Sequence, residues 1–195
     1  MARLGILCGM AREAAALGPL ADDPRVSVAL TGARADAARV GAERLIAEGA
    51  EVLLSWGIAG ALAPGLAPGD LVLATDVRDT AGNRWPAGPA AAPARIRLLA
   101  RPLLGADRLL DTPAAKRAAA GATGAAIVDM ESHHLARAAL AAGRPFAALR
   151  AVSDPVDRAL PPLAAGALGP AGRPRTGAVL AGLARRPGQL PALLA

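Results

Sequence analysis

The sequence predicts a single α/β domain in which helices cover both faces of a mostly parallel central sheet, a three-layer αβα arrangement. Three observations point there. Short apolar runs of strand length alternate with stretches whose apolar residues recur at helical spacing. Glycine and proline punctuate the junctions between them. The 195 residues suffice to bury one core, and no internal repeat marks a second domain. The domain is read as residues 1–195, with 161–195 a Pro/Gly/Arg-rich C-terminal segment.

Taken in order, residues 4–9 read as a buried strand and 11–20 as a helix. Val26–Leu30 is a second strand, closed by Thr31-Gly32. Ala35–Ala47 carries the helical period, and Gly49 stops it. Residues 52–55 form a third strand that runs into what reads as a glycine turn, "GIAGAL". A fourth strand covers 71–74, and 80–93 reads as a loop. A strand near 101–105, a short helix near 113–119, a strand at 127–130, a helix at 132–142 and a strand at 146–152 complete the alternation. The tail offers one further helix at 177–185. Sheets of this kind bind ligands at the carboxyl ends of their strands, which is where the unusual polar residues stand.

Composition excludes several functions. Hydrophobic residues make up 53% and aromatics 2%, so Ala, Leu and Val must fill the core. The formal charge of +6 comes from scattered arginines, Lys116 being the only lysine, and no aromatic ladder accompanies them. Nucleic-acid binding is therefore not expected. Cys8 is alone, which rules out a disulfide framework and suits a reducing cytosol. The opening "MARLGILCGMARE" turns polar too soon for a signal peptide, and no apolar run is long enough to span a bilayer. We expect a cytoplasmic protein, peripheral to the inner membrane at most.

Four segments, each after a strand, carry the candidate chemistry: "CGMARE", "SWGIAGAL", "VDMES" and "RAVSDPVD". Singly they are bland. Glu13 could complement a helix dipole, Gly57 and Gly60 a tight turn, and Asp129, Glu131 or Ser153-Asp154 a helix cap. Together they deliver carboxylates from three strand ends to one edge, as an α/β enzyme assembles a site. No third ligand stands at metal spacing from His133 and His134, so no metal is expected. No nucleophile elbow supports a serine triad.

The order and spelling of these motifs resemble the nucleoside phosphorylase and nucleosidase superfamily, which includes methylthioadenosine/S-adenosylhomocysteine nucleosidase. The resemblance runs from Leu4 to about Asp157. It rests on "LGILCGMARE", "LLSWGIAGALAPGLAPGDLVLA", "VDMES" and "RAVSD". Within the superfamily, "VDMESHHLARAA", "RPFAALRAVSDPVDRALPP" and "RRPGQLPALL" resemble the hopanoid-associated phosphorylases, which act on adenosylhopane.

The resemblance implies roles. Asp154 would protonate adenine at N7, oriented by Ser153, and Glu13 would polarise the attacking water. Glu131 would accept the ribose 2′- and 3′-hydroxyls beside Met130. Ile58, Ala59 and Gly60 would line the substrate, and Asp129 would be structural or would support the residues that touch it. Where phosphorylases carry a phosphate-binding serine and a preceding arginine, this chain has Ile58 and Ser55. Arg12 and the backbone N–H groups of the glycine segment remain as possible anion donors. No cofactor is expected, with phosphate open as a co-substrate and hydrolysis slightly ahead. Leu109 or Leu110 stands nearest to the family's base-stacking phenylalanine. The resemblance also implies a homo-oligomer, commonly a dimer. The arginine-containing tail, 173–194, would suit shallow docking on an anionic membrane as well as packing on the core. Rival readings are a soluble methylthioadenosine nucleosidase and a non-catalytic nucleoside-binding protein.

Overall fold

The computed structural model describes residues 2–32, 34–88 and 96–160. The tail helix and the membrane-docking face expected within 161–195 lie outside the described residues. Eight strands form one mixed sheet with four helices packed around it. The strands are β1 (Leu4–Cys8), β2 (Val26–Leu30), β3 (Val52–Ala61), β4 (Leu71–Arg78), β5 (Arg84–Pro86), β6 (Leu98–Gly105), β7 (Ile127–Asp129) and β8 (Phe146–Asp154). The helices are α1 (Ala11–Ala15), α2 (Ala35–Ala47), α3 (Pro113–Thr123) and α4 (Ser132–Ala141).

Parallel ladders join β1 to β2 and β3, β3 to β8, and β6 to β4 and β7. The β3–β7, β4–β5 and β4–β8 pairs are antiparallel. The expected α/β class with a mostly parallel sheet is therefore what forms. Its pairings also close a ring, β3–β8–β4–β6–β7 and back to β3, with β1 and β2 extending from one side of it. Closure removes most of the free strand edges.

Aliphatic side chains fill the interior: Leu7, Leu45, Leu53, Val72, Leu103, Ile127 and Leu135 are fully buried. Helix boundaries follow local chemistry. Gly18, in the left-handed region at φ 54°, and Pro19 end the first helix early, so 11–20 divides into α1 and a 3-10 turn at Gly18–Asp22. At α3, the Thr112 side chain accepts from Ala115 N at 3.2 Å and Pro113 occupies the first turn. Gly124 closes that helix at φ 65°, its N–H bonded to Ala120 O at 2.7 Å.

The largest departure from expectation is at "GIAGA". This is no turn but the upper half of β3, in register with β8 from Leu53 through Gly60. On its other edge β3 changes neighbour. It pairs with β1 as far as Trp56, and with β7 from Gly60. Between Gly57 and Ala59 that edge faces no strand, and the crevice so formed is where the functional side chains collect. Residues 80–93 likewise contain a short strand, β5, which forms a hairpin with β4.

Candidate active site

The chain leaves β1 at Cys8 and turns at once into α1, whose third residue is Glu13. Its Oε2 accepts from Met10 N at 2.7 Å, and its Oε1 accepts from Ile58 N at 2.9 Å. The carboxylate thus takes the place of the missing strand beside β3. Trp56 Nε1 donates to Glu13 O at 2.9 Å and pins the same residue from below. The Ile58 N–H is therefore committed to Glu13, and its neighbours lie in the β8 ladder, so the segment is not the open nest of N–H donors that a turn would provide.

Glu131 enters from the opposite side. Because β7 runs antiparallel to β3, the chain beyond Asp129 doubles back toward Gly57. A Cβ on Gly9 would lie 2.8 Å from Glu131 Oε1 and 3.2 Å from Glu13 Oε2. One on Gly57 would collide with Glu13 Oε1 and sit 2.7 Å from Arg150 Nη1. These two glycines are what allow both carboxylates into one crevice. Met130 is half-buried beside them, and the Ile58 side chain is exposed at the rim.

Arg150 organises the floor. It projects from the middle of β8, is 1% exposed, and donates through Nε to Asp129 Oδ2 at 2.6 Å and through Nη2 to Ser55 Oγ at 2.5 Å. Asp129 also receives the Ser132 hydroxyl, with Ser132 N at 3.1 Å on its other oxygen, so it caps α4 and anchors the arginine. No side chain of a described residue hydrogen-bonds the Glu131 carboxyl; Arg150 Nη2 is 3.8 Å from Oε2. Burial first, then the Asp129 charge, pushes the Glu131 carboxyl up to about 8, against the opposing pull of Arg150. Burial, with the Glu13 charge, lifts the Cys8 thiol to about 12, which makes it inert.

Asp154 ends β8, opposite Gly60 of β3. Ser153 Oγ is bonded to Asp154 Oδ1 and lies 3.1 Å from Ala59 O, which fixes the pair to the strand. A Cβ on Gly60 would lie 3.3 Å from Asp154 Oδ2, so the missing side chain leaves space over that oxygen. Lys116 Nζ, from α3, also donates to Oδ2.

Sequence reasoning missed Arg150, Lys116, Ser55 and Ser132 as parts of this assembly. The available signals were a charged residue within a buried strand and the only lysine of the chain. The histidines do find a third neighbour, since Asp107 Oδ1 lies 2.9 Å from His133 Nε2 and 3.0 Å from His134 Nε2. His133 Nδ1 is buried without a hydrogen-bond partner, whereas a metal-bound imidazole relies on an acceptor at its second nitrogen. The trio reads as a hydrogen-bonded brace between α4 and the end of β6. A surface groove between the β4–β5 hairpin and α3, lined by Arg78, Asp79, Asn83 and Thr123, contains none of the crevice acids.

Comparison with known proteins gives the family and the fold. The family model of the phosphorylase superfamily matches residues 15–169. The chain belongs to the phosphorylase superfamily. Membership makes it an enzyme of the nucleosidase and nucleoside phosphorylase type. No curated protein matches it in sequence.

Among similar solved structures is a Helicobacter pylori nucleosidase variant with 5′-methylthioadenosine in its active site. It shares 17% identity at a TM-score of 0.71, over 80% of this chain and 87% of that one. A futalosine hydrolase of the same organism matches at 18% and 0.69, over 79% and 85%. A Neisseria meningitidis 5′-methylthioadenosine/S-adenosylhomocysteine nucleosidase complexed with methylthio-immucillin-A matches at 20% and 0.69, over 80% and 87%. At such identities the likeness is one of fold. Within the superfamily the crevice at the β1–β3–β7 switch is the candidate site, and Glu13, Glu131 and Asp154 all border it or the adjoining stretch of β3.

Proposed function

We propose that this enzyme breaks the N-glycosidic bond of an adenine nucleoside, adenosylhopane, with water as the nucleophile. The observation that carries the reaction class is the convergence of Glu13 and Glu131 on Gly9, with Asp154 farther along β3 at Gly60. That spread suits a sugar at the carboxylate pair and a purine at the aspartate. No side chain among the described residues hydrogen-bonds the Glu131 carboxyl, and Arg150 Nη2 stays 3.8 Å away, so acceptor positions remain for a vicinal diol. Each Glu13 oxygen accepts one backbone N–H and keeps a second acceptor position, enough to hold and polarise water.

Asp154 passes a proton to N7 as the bond to the base breaks, and the departing adenine leaves neutral. The positive charge that develops on the sugar faces carboxyl groups fixed before the reaction starts. A protein that only bound nucleosides would need no acid at that position.

The choice of water rests on charge. Glu13, Asp129 and Glu131 surround a single guanidinium, Arg150, which is already bonded to Asp129 and Ser55. Phosphate would enter against two or three acids, with no free nest of N–H groups to hold it. Arg12 is exposed on α1 and makes no ion pair among the described residues, and it is the remaining candidate for an anion contact.

The hopane side of the proposal is supported by the resemblance of "DPVDRALPP" and "RRPGQLPALL", segments outside the catalytic motifs. Among the described residues no helix is long and apolar enough to cross a membrane, so such a substrate would be met at the bilayer surface. The test compares substrates. Adenosylhopane in detergent should turn over faster than methylthioadenosine, and the protein should bind anionic vesicles in a salt-sensitive way. Efficient cleavage of methylthioadenosine without vesicle binding would hand the substrate to the soluble-nucleosidase reading.

A further inference from the structure

We propose that Lys116 is the proton source behind Asp154, a positioning residue that acts through the aspartate and never touches the substrate. The inference rests on the reading of Asp154 as the acid at the purine.

Composition makes the residue conspicuous. Of the 22 Lys and Arg residues, Lys116 is the only lysine, and it stands at 1% exposure. An arginine cannot give up its proton under working conditions, whereas a lysine ammonium can. The site asks for a compact cation with three donors. Lys116 Nζ donates to Asp154 Oδ2, to Pro155 O at 2.9 Å and to Arg158 O at 2.9 Å. All three of its N–H bonds are used. The capped start of α3 and the left-handed Gly124 fix the ends of the helix that carries Lys116.

The arrangement answers a question the proposed chemistry raises. Asp154 is bonded to an ammonium on one oxygen and to the Ser153 hydroxyl on the other. The nearest nitrogen-bound proton lies on Lys116. A Cβ on Gly60 would lie 3.3 Å from Oδ2 and 3.5 Å from Oδ1, so the oxygen that meets Lys116 also borders the space there. As the bond between the sugar carbon and the purine breaks, its electron pair stays on the purine. An Nζ–H bond breaks and an Oδ2–H bond forms. That O–H bond then breaks as N7–H forms. Adenine leaves neutral, Lys116 is left as a neutral amine, and it regains a proton from solvent after product release. Water adds to the sugar cation and loses its proton by way of Glu13.

Around Asp154, α3 contributes Lys116, β8 contributes Ser153, and β3 contributes Gly60 and the Ala59 carbonyl. Lys116 is the titratable group among these. Glu13, Glu131 and Arg150 border the crevice at Gly9 and Gly57, and their titration is common to wild type and variants.

The experiment is the pH profile of kcat for wild type, Lys116→Met and Asp154→Asn. It uses whichever of adenosylhopane and methylthioadenosine the wild type cleaves. Without the ammonium, the proton that Asp154 passes on must come from solvent, where protons become tenfold scarcer with each pH unit. Lys116→Met should lose about a hundredfold in kcat at pH 7, with KM within about threefold. The ratio of its kcat to that of wild type should fall about tenfold per unit between pH 6 and 8. Lys116→Arg, which keeps the charge, should show the same slope and serves if the methionine variant does not fold. A loss equal at every pH, or no loss, would overturn the proposal and leave Lys116 a structural pin. Full activity in Asp154→Asn would instead remove the acid role on which the proposal stands.

Discussion

At the scale of single residues, the carboxyl groups were legible and their partners were not. Glu13, Glu131 and Asp154 stand out because acids seldom follow buried strands for packing reasons alone. Arg150 was hidden by an arginine-rich composition, although a cation in the middle of β8 is as anomalous as an acid at its end. Two predictions belong here. Asp154→Asn preserves shape and removes the proton carrier, so adenine release should fall at least about a hundredfold while the far-UV circular dichroism is unchanged. Glu131 titrates in the folded protein near 8, above its ordinary 4.5, so between those values the fold retains a proton that the unfolded chain has released. Stability contributed by that proton is present at low pH and is lost as pH rises through about 8. Urea unfolding at pH 5 and pH 8 should show a smaller loss for Glu131→Gln than for wild type; an equal loss would contradict the assignment.

At the scale of elements, periodicity identified the βα units, and the errors fell where local signals compete with pairing. "GIAGA" carries the composition of a turn, yet β8 on one edge draws it into an extended strand, and its glycines serve approach rather than bending. The helix expected at 11–20 yields to Gly18-Pro19, a breaker that apolar spacing alone overlooks. α3 proved longer than expected because Thr112 and Gly124 cap it at both ends. The cap has a measurable consequence. Thr112→Ala removes the acceptor for Ala115 N and should cost about 1 kcal/mol in urea unfolding, while Thr112→Ser should restore it. A stability unchanged by both would show that tertiary contacts, and not the cap, fix the helix that bears Lys116.

At the scale of the whole molecule, the α/β class follows from the alternation of elements, while closure of the sheet into a ring does not. Which strands pair, and in which direction, depends on contacts distant in sequence that no local pattern records. The antiparallel placement of β7 shapes the candidate site, because it doubles the chain back and brings Glu131 to face Glu13. With the β1 pairing ending at Trp56 of β3 and the β7 pairing beginning at Gly60, three residues of β3 are left without a strand partner on one edge, and side chains from separate parts of the chain occupy the gap. The acid-rich character of that gap underlies the central claim, that water and not phosphate attacks the sugar. The direct test is turnover of adenosylhopane in phosphate-free buffer made with oxygen-18 water. The account predicts undiminished adenine release, a free ribosyl product carrying the label, and no acceleration on adding phosphate. Strict dependence on phosphate, with a ribosyl 1-phosphate as product, would contradict it.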